Sequence, residues 1–144
     1  MVEQCKETAP VPEISARAVV GRSGEDAAVV YYRSLGIKLV ARNWRAGRFA
    51  EVDLILRSPD GMYIFAEVKT RLLRAGEPEM VESGFASVGF RKQKKIVTAA
   101  RIFISRLPQA DIPCRFDVLV VSYERNAQAG ASERIIHVAD AFSG

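Results

Sequence analysis

The chain has 144 residues, is 49% hydrophobic and 26% charged, and sets 21 Lys and Arg against 17 Asp and Glu for a formal net charge of +4. That length and balance describe one globular domain and exclude disordered, collagen-like and low-complexity classes; the basic excess is too mild to identify a nucleic-acid partner unaided. No apolar run approaches the roughly 18 residues of a membrane span, the first residues lack the apolar core of a secretory signal, and Cys5 and Cys114 have no metal-ligand spacing, so a cytoplasmic protein with reduced thiols and no membrane contact is expected.

In chain order, residues 1–14, with Pro10 and Pro12, read as a flexible tail ahead of a single domain over 15–144. A first helix is predicted over 15–35, with Ser15 or Ser23 as N-cap and Gly36 just past its end. Three strands follow at 37–45, 51–56 and 62–69, the last two joined by the turn residues 57–61, which include Pro59 and Gly61. Residues 70–89 carry Gly76, Pro78, Gly84 and Gly89 and read as a long irregular loop. Ile96, Val97, Ala100, Phe103, Ile104 and Leu107 recur on one helix face within 90–107, and Pro108 stops that helix. A continuous apolar strand over 115–123, a loop over 124–132 and a last strand over 134–138 complete the order. Helices alternating with strands in this way predict a mixed sheet covered on both faces.

The hairpin is the informative region. Residues i and i+2 of a strand project to the same side, so Glu51 and Asp53 share one face, as do Glu67 and Lys69. Pairing centred on residue 60 sets Asp53 directly opposite Glu67, with Cβ atoms about 4.5–5.5 Å apart. A one-residue slip would separate them. The same face carries Ile55, Tyr63 and Phe65, while Val52, Leu54 and Leu56 and, on the second strand, Ile64, Ala66 and Val68 form the other. Two carboxylates among apolar side chains repel, and one takes a proton unless a cation resolves the conflict. Mg²⁺ prefers oxygen ligands and uses one or two carboxylates, and an ammonium at Lys69 is placed to orient a water or stabilise charge on a phosphate. Salt bridging at a sheet edge accounts for the same spacing. Glu25 falls on the stripe Gly21, Glu25, Ala28, Tyr32 and Leu35 of the first helix, where it is either a third acid or a partner of the helix dipole.

Positive charge is segregated. Residues 37–50 hold Lys38, Arg42, Arg45 and Arg48 and no acid, and residues 86–106 hold Arg91, Lys92, Lys94, Lys95, Arg101 and Arg106 and no acid. Such surfaces bind phosphate backbones, or are simply solvated. Trp44 reads as a core indole ahead of a base-stacking one, and His137 and Asp117 read as structural. Neither glycine-rich phosphate-loop pattern occurs.

Seven segments taken together, G-R-S-G-E (21–25), A-R-N-W-R (41–45), E-V-D-L-I (51–55), F-A-E-V-K-T-R (65–71), K-Q-K-K (92–95), R-F-D-V (115–118) and H-V-A-D-A-F (137–142), resemble the YraN-type family of small bacterial proteins. That family lies in the restriction-endonuclease-like, or PD-(D/E)XK, superfamily and is similar to archaeal Holliday-junction resolvases, which cut branched DNA with Mg²⁺. The resemblance implies a three-layer α/β fold with a central mixed five-stranded sheet and helices on both faces. It maps the metal-ligand Asp onto Asp53, the E-x-K pair onto Glu67 and Lys69 and the helix acid onto Glu25, with the Val68 carbonyl as a further ligand. Arg45, Arg91, Lys92 and Lys95 are then the phosphate-holding residues. Ala50 stands where the family usually has Gly, and Val52 where the superfamily has Pro. The implied activity is Mg²⁺- or Mn²⁺-dependent hydrolysis of phosphodiester bonds in structured or branched DNA, and a homodimer is compatible with it, although no stripe identifies a dimer face. Two rivals stand beside it: a non-catalytic nucleic-acid-binding or genome-maintenance adaptor on the same fold, and an interaction protein whose basic helix docks an acidic partner.

Overall fold

The computed structural model describes residues 5–8, 16–74, 88–126 and 130–144. Over these the chain runs β1 (Cys5–Thr8), α1 (Ala16–Ser34), β2 (Lys38–Arg45), β3 (Glu51–Arg57), β4 (Tyr63–Leu73), α2 (Phe90–Ser105), β5 (Cys114–Asn126) and β6 (Gly130–Phe142). The strands form one sheet in the order β1-β6-β5-β4-β3-β2. Only β4 and β5 run parallel, because α2 carries the chain back across the sheet between them, and every other neighbouring pair is antiparallel.

Local chemistry explains the boundaries. Helix α1 ends where Gly36 takes φ +77, and the Ile37 amide closes back on the Tyr32 carbonyl at 3.0 Å. The β3–β4 turn closes through Ser58 N–H to the Met62 carbonyl at 2.9 Å, with Gly61 at φ +89. Strand alternation then divides the core. Leu54, Leu56, Ile64, Ala66, Leu119 and Val121 pack under α1 through Ala28, Val29, Tyr31 and Tyr32. Ile55, Tyr63, Phe65, Phe116 and Val118 pack under α2 through Ile96, Ala99 and Ala100. Val52, expected beside Leu54, joins the α2 cluster instead. The buried Ala50 also sits there, so its methyl group is accommodated.

The expected five-stranded mixed sheet with helices on both faces is present, and four details differ. Residues 5–8 of the expected tail pair with β6, from Cys5↔Arg134 to Thr8↔Ala131, and add a sixth strand; the pairing is between backbones, which polar residues serve as well as apolar ones. Strand β4 continues to Leu73 beside β5, into the segment expected to be irregular; residues 75–87 of that segment lie outside the described residues. Strands β5 and β6 run on to Asn126↔Gly130, through most of the expected 124–132 loop, because the hairpin extends past the core where no apolar pattern is required. Strand β6 also extends to Phe142, with Asp140 at φ +53 near its end. Among the described residues no helix is long and apolar enough to cross a membrane.

Candidate metal and phosphate site

The β3–β4 register pairs Leu54 with Ala66, Ile55 with Phe65 and Leu56 with Ile64. The ladder ends at Leu54↔Ala66, and Asp53 and Glu67 are the next residues on the two strands. The Asp53 charge acts on the Glu67 carboxyl, so the two side chains are neighbours. The Asp53 side chain is anchored, its Oδ2 accepting the Val68 N–H at 2.9 Å. The Glu67 side chain is only 4% exposed, and its Oε1 lies 3.3 Å from the Lys69 Nζ. Its Oε2 is buried with no hydrogen-bond partner.

A buried acceptor beside a second carboxylate is costly. Burial, then the Asp53 charge, push the Glu67 carboxyl up to about 7, against the opposing pull of Lys92 and Lys69. Lys92 reaches in from the first turns of α2, its Nζ 2.8 Å from Glu51 Oε1 and 3.6 Å from Glu67 Oε2. Burial lowers the Lys92 pKa, but the Glu51 hydrogen bond and the charges of Glu67 and Asp53 outweigh it, and the ammonium is held above its usual range. The same bond is the main reason the Glu51 carboxyl lies below its ordinary value.

Glu51 is the residue that sequence reasoning left out of the site. It gathers Lys92 at 2.8 Å and Lys95 and Arg45 each at 3.7 Å. Its shared face with Asp53 was a signal, and so was the i, i+3 spacing of Lys92 and Lys95. Of the expected phosphate-holding residues, Lys92 is thus turned onto carboxylates, Lys95 lies at their margin, and Arg45 is 73% exposed. Arg91 stands exposed on α2.

The Glu25 carboxylate accepts a hydrogen bond from Asn43 Nδ2 at 3.1 Å with Arg42 at 3.5 Å; Asn43 lies between Arg42 and Trp44, which pair with Leu54 and Val52 on either side of Asp53. Asn43 adopts φ +47 within β2. Among the described residues no group of three or more His, Cys, Asp or Glu is placed to share a metal. Trp44 is a core indole, edge-on to Phe103 with centroids 5.7 Å apart.

A second polar cluster lies under α1. Asp117, fully buried, accepts from Tyr32 Oη at 2.9 Å, from Arg115 Nε at 3.0 Å and from the Asp140 N–H at 3.0 Å, and meets His137 Nε2 at 2.8 Å. Tyr31 Oη lies 3.0 Å from His137 Nδ1. Every Asp117 oxygen is satisfied, which fits the structural role expected of both Asp117 and His137. An open cleft of about 560 Å³ lies elsewhere, between the second half of α2 and the chain end, lined by Val97, Arg101, Ile104, Cys114, Phe116 and Asp140.

A family model described as uncharacterised protein family UPF0102 matches residues 24–121. A UPF0102 protein of Methylibium petroleiphilum is 41% identical over 113 residues, covering 75% of this chain and 88% of the relative. One from Desulforamulus reducens is 35% identical over 128 residues, covering 88% and 97%. One from Oleidesulfovibrio alaskensis is 39% identical over 112 residues, but the match takes in only 52% of that relative, so this chain spans about half its length. Among solved structures, Pyrococcus furiosus SfsA in complex with Ca²⁺ aligns at 13% identity and a TM-score of 0.35, covering 83% of this chain and 63% of that one.

Proposed function

The chain belongs to uncharacterised protein family UPF0102, the YraN-type family that its motifs resemble, and on that premise we propose that it is a metal-dependent endonuclease acting on structured or branched DNA. One observation carries the reading. Glu67 holds a buried oxygen with no hydrogen-bond partner, within reach of the Asp53 charge and beside the Lys69 ammonium. An orphaned acceptor next to a second carboxylate is the donor set a divalent cation satisfies, and two carboxylates suffice for Mg²⁺, which keeps several waters. Asp53 and Glu67 would hold the ion, with the Val68 carbonyl as third donor. Bound there, Mg²⁺ or Mn²⁺ supplies polarisation of a phosphate oxygen and compensation of negative charge.

The remaining work falls to the protein's own groups. Lys69, 3.3 Å from Glu67, orients the attacking water and stabilises charge gathering on the phosphate. The Val68 N–H fixes Asp53, so its free oxygen keeps one direction. Glu51 holds Lys92 at 2.8 Å, keeping that ammonium at the site's rim, where a phosphate can meet it. Arg45, Lys95 and Arg91 hold flanking phosphates. Glu25, bound to Asn43 and Arg42, is given no ligand role.

Cleavage of fork, flap and four-way DNA in Mg²⁺ or Mn²⁺ tests the reading. Asp53→Asn should abolish it and Lys69→Ala should slow it by about 10²–10³-fold. Equal cleavage by wild type and both variants would place the activity in another protein. The adaptor reading has its own support, since Lys92 lies 3.6 Å from Glu67 and already offsets part of the site's charge. It expects salt-dependent DNA binding with no product in any divalent metal.

A further inference from the structure

Two phenyl rings stand in solvent on the segments that flank this site in the chain. Phe49 is 74% exposed and Phe90 70% exposed, the two highest values among the large hydrophobic side chains described. Phe49 ends the β2–β3 turn, two residues before Glu51, and Phe90 opens α2, two residues before Lys92. Glu51 and Lys92 touch at 2.8 Å. Two residues of chain span at most about 7 Å, so the rings are rooted on the two segments that supply the ion pair, Phe49 within that reach of the Glu51 backbone and Phe90 within that reach of the Lys92 backbone. The α2-face core does not use them. Its ring contacts run through Trp44, Tyr63, Phe65, Phe103, Phe116 and Phe142. Phe90 instead carries the Lys94 ammonium 4.6 Å from its centroid.

The charge around the rings selects their partner. Arg45 and Arg48 precede Phe49, Arg91, Lys94 and Lys95 follow Phe90, and neither 37–50 nor 86–106 contains an acid. Aromatic faces set among cations match a strand that alternates bases with phosphates. Bases in a blunt duplex are stacked on one another and cannot offer a face to a protein ring, whereas unpaired bases can. We propose that Phe49 and Phe90 are stacking platforms for unpaired nucleobases, so that the substrate class is nucleic acid with single-stranded or splayed nucleotides at the site. The proposal rests on the nucleic-acid reading above and deepens it. Lys94 on one face of Phe90 leaves the other for the base.

Binding measured in EDTA keeps this test independent of cleavage. The probes are a single-stranded DNA of about 20 nucleotides, its blunt duplex and a splayed fork, followed by fluorescence anisotropy, with 2-aminopurine in the single strand to report stacking. Phe49→Ala and Phe90→Ala should each weaken single-strand and fork binding about tenfold, leave duplex binding within about twofold and reduce 2-aminopurine quenching. Phe49→Trp and Phe90→Trp should restore both signals. Unchanged binding, equal loss on all three DNAs, or a change of oligomeric mass in the alanine variants would overturn the proposal. Selective binding by a protein that never cuts would leave the platforms standing and remove the nuclease; cutting that depends on Asp53 with indifferent phenylalanine variants would do the reverse.

Discussion

Glu67 is where the site's energetics concentrate. Its carboxyl rises from an ordinary 4.5 to about 7, through burial and then the Asp53 charge. Between those values the folded chain keeps a proton that the unfolded chain has released. The contribution of this carboxyl to stability therefore falls as pH rises from about 4.5 to about 7 and is level above. Glu67→Gln removes that slope, so thermal melts in EDTA should show the variant well above wild type at pH 8 and close to it at pH 4; parallel pH profiles would contradict this. The hairpin register centred on residue 60 was legible in the sequence because the turn length fixes it. The Glu51 hub was less so, since long lysine side chains arriving from another element follow no local period.

Elements are joined most firmly where Tyr32 of α1, Asp117 of β5 and His137 of β6 meet. Burial raises the Asp117 carboxyl, but hydrogen bonds from His137, Arg115 and the Asp140 N–H outweigh that, and its pKa is lowered. Its contribution is therefore complete above its ordinary value and disappears as pH falls through the depressed one. Asp117→Ala strands Arg115 and should cost about 3–5 kcal/mol in denaturant melts at pH 7; a cost under about 1 kcal/mol would show the cluster to be incidental. The α1–β4 contact is as close. A Cβ at Gly24 would collide with Thr70 Oγ1 and stand 3.2 Å from Thr70 Cβ. Gly24→Ala should lower stability by about 1–3 kcal/mol, with Gly24→Ala/Thr70→Ala recovering most of it; additive losses would argue against that contact. The order of helices and strands along the chain was legible through alternation and turn residues. Strand β1 and the outer β5–β6 hairpin were not, because their pairing is backbone to backbone and leaves no apolar signature.

At the scale of the molecule the sheet separates two tasks. The α1 face carries a fully satisfied polar cluster and the α2 face a charged one with an unsatisfied oxygen. Exposed Arg45 and Arg91 border the second, so removing either should weaken DNA binding evenly across sequences and shorten the salt slope by about one unit. Titrations from 50 to 200 mM salt measure this, and an unchanged slope would place the phosphates elsewhere. The three-layer architecture could be read in advance because helices and strands alternate with clear periods. The partner of the basic segments could not, because charge alone does not distinguish one polyanion from another.

The most direct measurement is anomalous diffraction from crystals of the protein soaked in Mn²⁺. The expected result is a peak between Asp53 and Glu67, about 2 Å from an oxygen of each, with Lys92 remaining on Glu51. An empty gap in fully soaked crystals, with Glu67 Oε2 still facing the Lys92 ammonium, would contradict the assignment of this site to metal-dependent chemistry.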